Sequence, residues 1–245
     1  SLAQDPYLPL FKIFRNQVVR DSDCSAAQYD YESALDEYYY FENRLSIMRL
    51  VQEATLDHVF DNSLREKFHS SLVSRMKLSS PLLAPYANRV EGATFKELFD
   101  NALEVVALGR ETPNVDWLGF NDNWTVEFFP ALARSYQNAK FVVIIRDVRA
   151  SIASTLKVVD PTRRALTMSF VRCWRKQLAL TIRYKQMDLF RDRLHVVSYE
   201  QIVKEPESEI RRLCEFLEIS YTEEMIDSRF FVGPSGGSWI PNSNF

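Results

Sequence analysis

The chain has 245 residues, 46% hydrophobic and 26% charged, the profile of an ordinary globular protein with ample material for a core. Its 30 basic and 33 acidic residues leave a net charge of −3, which argues against nucleic acid as the main partner but allows a local basic pocket for one anion. Only 6 glycines are present, too few for the tandem turns of a sandwich or barrel, so helices should dominate.

In chain order, Pro9 opens a helix with Leu10, Phe11, Phe14 and Val18 on one side. Between Tyr29 and Val59, Leu35, Tyr38, Phe41, Leu45 and Met48 recur at three and four, an amphipathic helix pattern. The cluster Tyr38-Tyr39-Tyr40-Phe41 reads as core, with a cleft lid as the other reading. Residues 61–78 form a further helix, and residues 79–85 a turn. Thr94 with Glu97 three residues on is a capping box, opening a helix through Leu103 and Val106.

From about residue 114 the pattern changes. Residues 117–120 (WLGF) are a short strand candidate, and residues 125–136 a helix. Residues 140–145 (KFVVII) are a buried strand, continuously apolar from Phe141 and β-branched from Val142 to Ile145. A helix over 148–156 follows, then a long helix led by Pro161 to about Phe190. A strand over 194–198 (LHVVS) and a helix over 206–217 come next. Strands alternating with helices predict crossover connections. The expected fold is α/β and three-layered, a parallel central sheet flanked by helices, with a helix-rich N-terminal half. One domain over 1–245 is expected, mainly helical over 1–110 with a βαβ core over 114–220. Because the chain begins with Ser1, it reads as a fragment of a longer parent.

Three separated cysteines (Cys24, Cys173, Cys214) and three unclustered histidines match no disulfide frame or metal site. The longest apolar run is far too short to span a bilayer, and no signal peptide opens the chain. Cytoplasmic residence is the expectation.

Ligands of an open parallel sheet bind beyond the carboxyl ends of its strands. There KFVVII runs into Arg146, and LHVVS ends at Tyr199-Glu200. An arginine at a strand exit, followed by a helix with free N–H groups, suits a phosphate. Ser154 lies two turns into that helix. Three plainer readings stand beside these: an Arg146–Asp147 surface ion pair, a mid-helix serine without a role, and Tyr199 as an interfacial residue with a wet hydroxyl.

At these residues the chain resembles the family of sulfotransferases that use 3′-phosphoadenosine 5′-phosphosulfate (PAPS), proteins of a P-loop-type α/β fold. The run from Lys140 through Arg146 to Ser154 is similar to the family's strand-then-helix motif for the 3′-phosphate. The second block, Leu194 through Tyr199-Glu200 and Glu205-Pro206 to Leu217, is similar to its other signature. The long helix with Trp174 and Gln177 between the blocks fits too. The resemblance implies that Arg146 and Ser154 bind the 3′-phosphate, that Tyr199 contacts the adenine, and that no metal takes part. It implies sulfonyl transfer to a hydroxyl or amine of a small-molecule, sugar, lipid or peptide acceptor.

Three departures accompany the resemblance. No glycine precedes Gly92, so no Gly-containing loop for the 5′-phosphosulfate is seen. Where many members carry a lysine and a histidine base, this chain has Asn121-Asp122-Asn123. That leaves Asp122 as candidate base or as N-cap of the next helix. Residues 233–239 echo the family's C-terminal loop without its arginine and lysine. The alternative function is a catalytically inactive sulfotransferase-like binding module. A nucleotide kinase ranks last, since no GxxxxGK[ST] loop occurs.

Overall fold

The computed structural model describes residues 7–22, 44–111, 115–121, 125–158, 166–231, 233 and 237–238. Contacts divide the chain into two compact units, one essentially Ala3–Ser135 and the other essentially Tyr136–Gly233.

The first unit is helical. Helix α1 (Leu8–Asp21) is started by Pro9 and packs against α2 (Arg44–Glu53), α3 (Asn62–Ser79) and α4 (Phe95–Gly109). Phe11 and Phe14 meet Phe128 at 4.9 and 5.9 Å and Phe95 at 5.8 and 4.7 Å, the centre of an aromatic core. The sequence reading gave α1 one apolar side. Surrounded by helices, it is buried on every side, and Lys12, Arg15, Asn16 and Gln17 go in with the apolar residues. Buried polar groups need partners. Arg15 Nε and Nη2 accordingly donate to Asn16 Oδ1 at 3.0 and 2.9 Å.

Helix α3 begins where the Asp61 carboxylate accepts the Leu64 N–H at 2.8 Å. It buries Leu64, Phe68, Leu72 and Met76, a four-residue repeat. Each such side chain contributes about 1.5–3 kcal/mol by leaving water. The expected turn after it continues into a 3₁₀ segment at Ala84–Arg89. The capping box of α4 is present: Thr94 Oγ1 accepts the Glu97 N–H, and Glu97 Oε2 accepts the Thr94 N–H, both at 3.2 Å.

Three further sequence expectations change in this unit. Residues 54–59 leave the helical path, so among the described residues the Tyr29–Val59 pattern is realised as α2. Its Leu35 and the Tyr38–Phe41 cluster lie outside the described residues. Residues 117–120 form no strand, and Trp117 and Leu118 are 40% and 39% exposed. Only Phe120 is anchored, 5.6 Å from Phe11 and 5.2 Å from Phe99. The helix expected over 125–136 is a 3₁₀ turn (Val126–Phe128) followed by α5 (Phe129–Ser135).

The second unit is the βαβ core. Strands β1 (Phe141–Ile145) and β2 (Leu194–Ser198) pair in parallel, from Phe141 opposite Leu194 to Ile145 opposite Ser198. The crossover is α6 (Val148–Val158) and α7 (Leu166–Tyr184). Phe141 packs on Phe190, which stacks on Tyr184 at the end of α7. On the opposite face His195 stacks on Phe216 of α9 (Pro206–Leu217). Helical segments therefore cover both faces of the strand pair, an α/β arrangement. Ile144 is 60% exposed although Phe141 and Val143 are buried, so β1 is less enclosed than its apolar run suggests. A short helix, α8 (Tyr199–Lys204), was not read from the sequence; the Ser198 hydroxyl caps it, accepting the Gln201 N–H. No helix among the described residues is long and apolar enough to cross a membrane.

Candidate functional site

Parallel pairing in this register brings both strands to an end together, so Arg146 and Tyr199 leave the sheet side by side. The guanidinium carbon of Arg146 lies 4.6 Å from the centre of the Tyr199 ring, a cation–π stack. Arg146 is half-buried, and its Nε is buried without a hydrogen-bond partner. No carboxylate among the described residues pairs with it. The side chain thus rests on the tyrosine that follows the neighbouring strand.

The surface-pair reading of Arg146-Asp147 does not hold, because Asp147 pairs with Arg149. Its Oδ1 accepts the Arg149 N–H at 2.8 Å and Nε at 3.0 Å. These bonds, the guanidinium first, pull the Asp147 carboxyl down to about 2. Arg149 is thereby committed at the surface, and Arg146 at the strand end has no carboxylate partner among the described residues.

The peptide linking Arg146 to Asp147 is held from both sides. Trp174 Nε1 of α7 donates to the Arg146 carbonyl at 3.1 Å, and the Asp147 N–H donates to Glu200 Oε1 of α8 at 2.8 Å. Glu200 Oε2 accepts the Ser198 hydroxyl at 2.9 Å. The Glu200 carboxyl is held below its usual range, first by the Asp147 N–H, then by its own N–H and the Ser198 hydroxyl.

Ser154 stands half-buried on α6, the helix that starts directly after Arg146-Asp147. Tyr199 keeps 40% of its surface exposed. Asp122 lies outside the described residues, next to Asn121, which is exposed. Of the residues singled out from sequence, the structure brings Arg146 and Tyr199 into contact. Glu200 is marked in the sequence by the end of LHVVS and Trp174 only by the resemblance; neither signal reveals their bonds to the 146–147 peptide. Glu200 stands directly after a strand-end tyrosine, whereas Trp174 is 28 residues from Arg146.

The chemistry of such a site is anion recognition. A guanidinium pre-oriented on an aromatic ring at the mouth of parallel strands fits a phosphate, and the half-exposed ring fits a flat base. Among the described residues no group of three or more His, Cys, Asp or Glu is placed to hold a metal ion.

A family model described as the sulfotransferase family matches residues 26–223. Protein-tyrosine sulfotransferase 2 of Gallus gallus is 31% identical over 142 residues, 55% of this chain and 36% of that protein. A putative protein-tyrosine sulfotransferase of Caenorhabditis briggsae is 29% identical over 148 residues, 56% of this chain and 51% of its own. Protein-tyrosine sulfotransferase 1 of Danio rerio is 28% identical over 153 residues, 60% and 42% respectively. The chain therefore spans about half or less of the length of these curated relatives. No solved structure matches it.

Proposed function

We propose, because the chain belongs to the sulfotransferase family, that it takes part in moving a sulfonyl group from PAPS to the phenolic oxygen of a protein tyrosine. The observation that carries this reading is the Arg146–Tyr199 stack at the joint end of two parallel strands. The acceptor class follows the relatives, which are named as protein-tyrosine sulfotransferases. Among the acceptors left open by the sequence, a peptide hydroxyl is thereby preferred to a sugar, lipid or small phenol.

In this scheme Arg146 and the Ser154 hydroxyl grip the 3′-phosphate, and Tyr199 lies against the adenine. Binding energy at that remote phosphate fixes the donor so that the reacting sulfur meets the acceptor in line. The donor supplies an activated sulfonyl group. The tyrosine oxygen forms a new bond to sulfur as the bond from sulfur to the 5′-phosphate oxygen breaks, and adenosine 3′,5′-bisphosphate leaves with that electron pair. The acceptor proton passes to a base, for which Asp122 is the sequence's candidate. As in phosphoryl transfer, the protein's part is positioning and charge neutralisation.

The alternative reading is a sulfotransferase-like binding module without transfer. One assay separates the two. Labelled PAPS is incubated with the protein and a tyrosine-containing peptide, and adenosine bisphosphate binding is measured in parallel. Label on the tyrosine oxygen supports the enzyme. Binding without label identifies the module, and neither result removes the donor from the account.

A further inference from the structure

The Arg146–Asp147 peptide plane is held by two side chains from different elements, as no other feature of the strand end requires. Its carbonyl accepts the Trp174 indole N–H at 3.1 Å, and its N–H donates to the Glu200 carboxylate at 2.8 Å. A peptide is a rigid plate, so fixing its two polar ends fixes its rotation about the chain axis. That rotation sets the direction in which the Arg146 side chain departs. The guanidinium then rests on Tyr199, the residue immediately before Glu200. One turn of α8 therefore supplies both the aromatic plate under the guanidinium and the anchor for its backbone, while the crossover helix α7 supplies the opposing anchor.

We infer that Trp174 and Glu200 are positioning residues, which aim Arg146 by pinning the peptide plane that follows it. The inference rests on the reading of Arg146 as the 3′-phosphate ligand. Glu200 itself touches no ligand in this scheme: its Oε1 is occupied by the Asp147 N–H and its Oε2 by the Ser198 hydroxyl. Its lowered carboxyl pKa, caused first by the Asp147 N–H, agrees with a strongly held bond. An acceptor oxygen is needed at this place, and a charge is not. Gln can therefore replace Glu, since its amide oxygen accepts the same N–H. Trp174 is needed for its indole donor, which Phe lacks.

The test is calorimetric titration of Glu200→Ala, Glu200→Gln and Trp174→Phe with two nucleotides, adenosine 3′,5′-bisphosphate and adenosine 5′-monophosphate. Only the first carries the phosphate that Arg146 would grip. Glu200→Ala and Trp174→Phe should weaken the bisphosphate on the order of tenfold, as a misaimed contact does. Neither should change the monophosphate by more than about twofold, and Glu200→Gln should stay within about threefold of the parent on both. In an Arg146→Ala background the Glu200→Ala loss should vanish. Equal losses on both nucleotides, equal effects of Ala and Gln, or an undiminished loss without Arg146 would each overturn the inference.

Hydrogen exchange at the Asp147 amide separates this from the premise. If exchange accelerates in Glu200→Ala while the parent fails to distinguish the two nucleotides, the pin is real and the 3′-phosphate reading is wrong. If the parent distinguishes them and Asp147 exchange is unchanged, the pin is wrong and the premise stands.

Discussion

Arg146→Ala should leave the fold nearly untouched and cripple ligand binding. In the folded chain the guanidinium contributes a cation–π stack on Tyr199 at 4.6 Å, worth about 0.5–2 kcal/mol for a partly desolvated pair. Against this stands its Nε, buried without a partner, at a cost of about 1–3 kcal/mol that truncation removes. At mid-range the two terms offset to within about 1 kcal/mol, so the melting temperature of the ligand-free protein should move by less than about 4 °C. Binding has no such offset. Losing a charge-assisted phosphate contact costs about 2–4 kcal/mol, roughly 30- to 800-fold in affinity for adenosine 3′,5′-bisphosphate. Thermal unfolding of the free protein and calorimetry with the nucleotide measure the two quantities separately. Unchanged affinity would remove Arg146 from the site. A large loss of stability without ligand would show the arginine to be a structural prop and refute the offset worked out here.

Thr94→Ala removes the hydroxyl half of the α4 capping box and should cost about 1 kcal/mol, a fall of roughly 2–4 °C in melting temperature, with nucleotide affinity unchanged. Asp147 is depressed in the folded state from 3.8 to about 2, so its stabilising effect is complete above about pH 4 and lost as pH falls through about 2. Denaturant midpoints followed through that window should fall with acid, and Asp147→Asn should flatten part of the fall. Asp122→Asn should lower kcat for sulfonyl transfer by about 10²-fold or more while leaving the affinity for adenosine 3′,5′-bisphosphate within about twofold; steady-state kinetics beside calorimetry check both.

Much of the fold can be read from local signals. The FVVII run, β-branched and continuous, falls on β1 to within a residue, and Thr94 with Glu97 marks the start of α4. In both cases the physics acts between residues close in sequence. Where the outcome depends on distant partners, the reading fails in characteristic ways. WLGF has a strand's composition, yet it stays irregular with Trp117 and Leu118 exposed, while Phe120 is drawn to Phe11 and Phe99. Helix α1 takes Lys12, Arg15, Asn16 and Gln17 inward because helices close around it, which its own periodicity does not reveal. The short helix α8 escaped notice because six residues carry too little periodicity; its Ser198 cap was the available clue. The same division holds at the site. Arg146 and Tyr199 are strand-end residues and could be singled out from their flanks. Trp174 reaches Arg146 only through the crossover, a contact 28 residues long in sequence.

The most direct check is a crystal structure of the protein soaked with adenosine 3′,5′-bisphosphate. The account predicts the 3′-phosphate within hydrogen-bond distance of the Arg146 guanidinium and the Ser154 hydroxyl, with the adenine against Tyr199. A nucleotide bound elsewhere, with Arg146 still resting on Tyr199 and facing no phosphate, would contradict it.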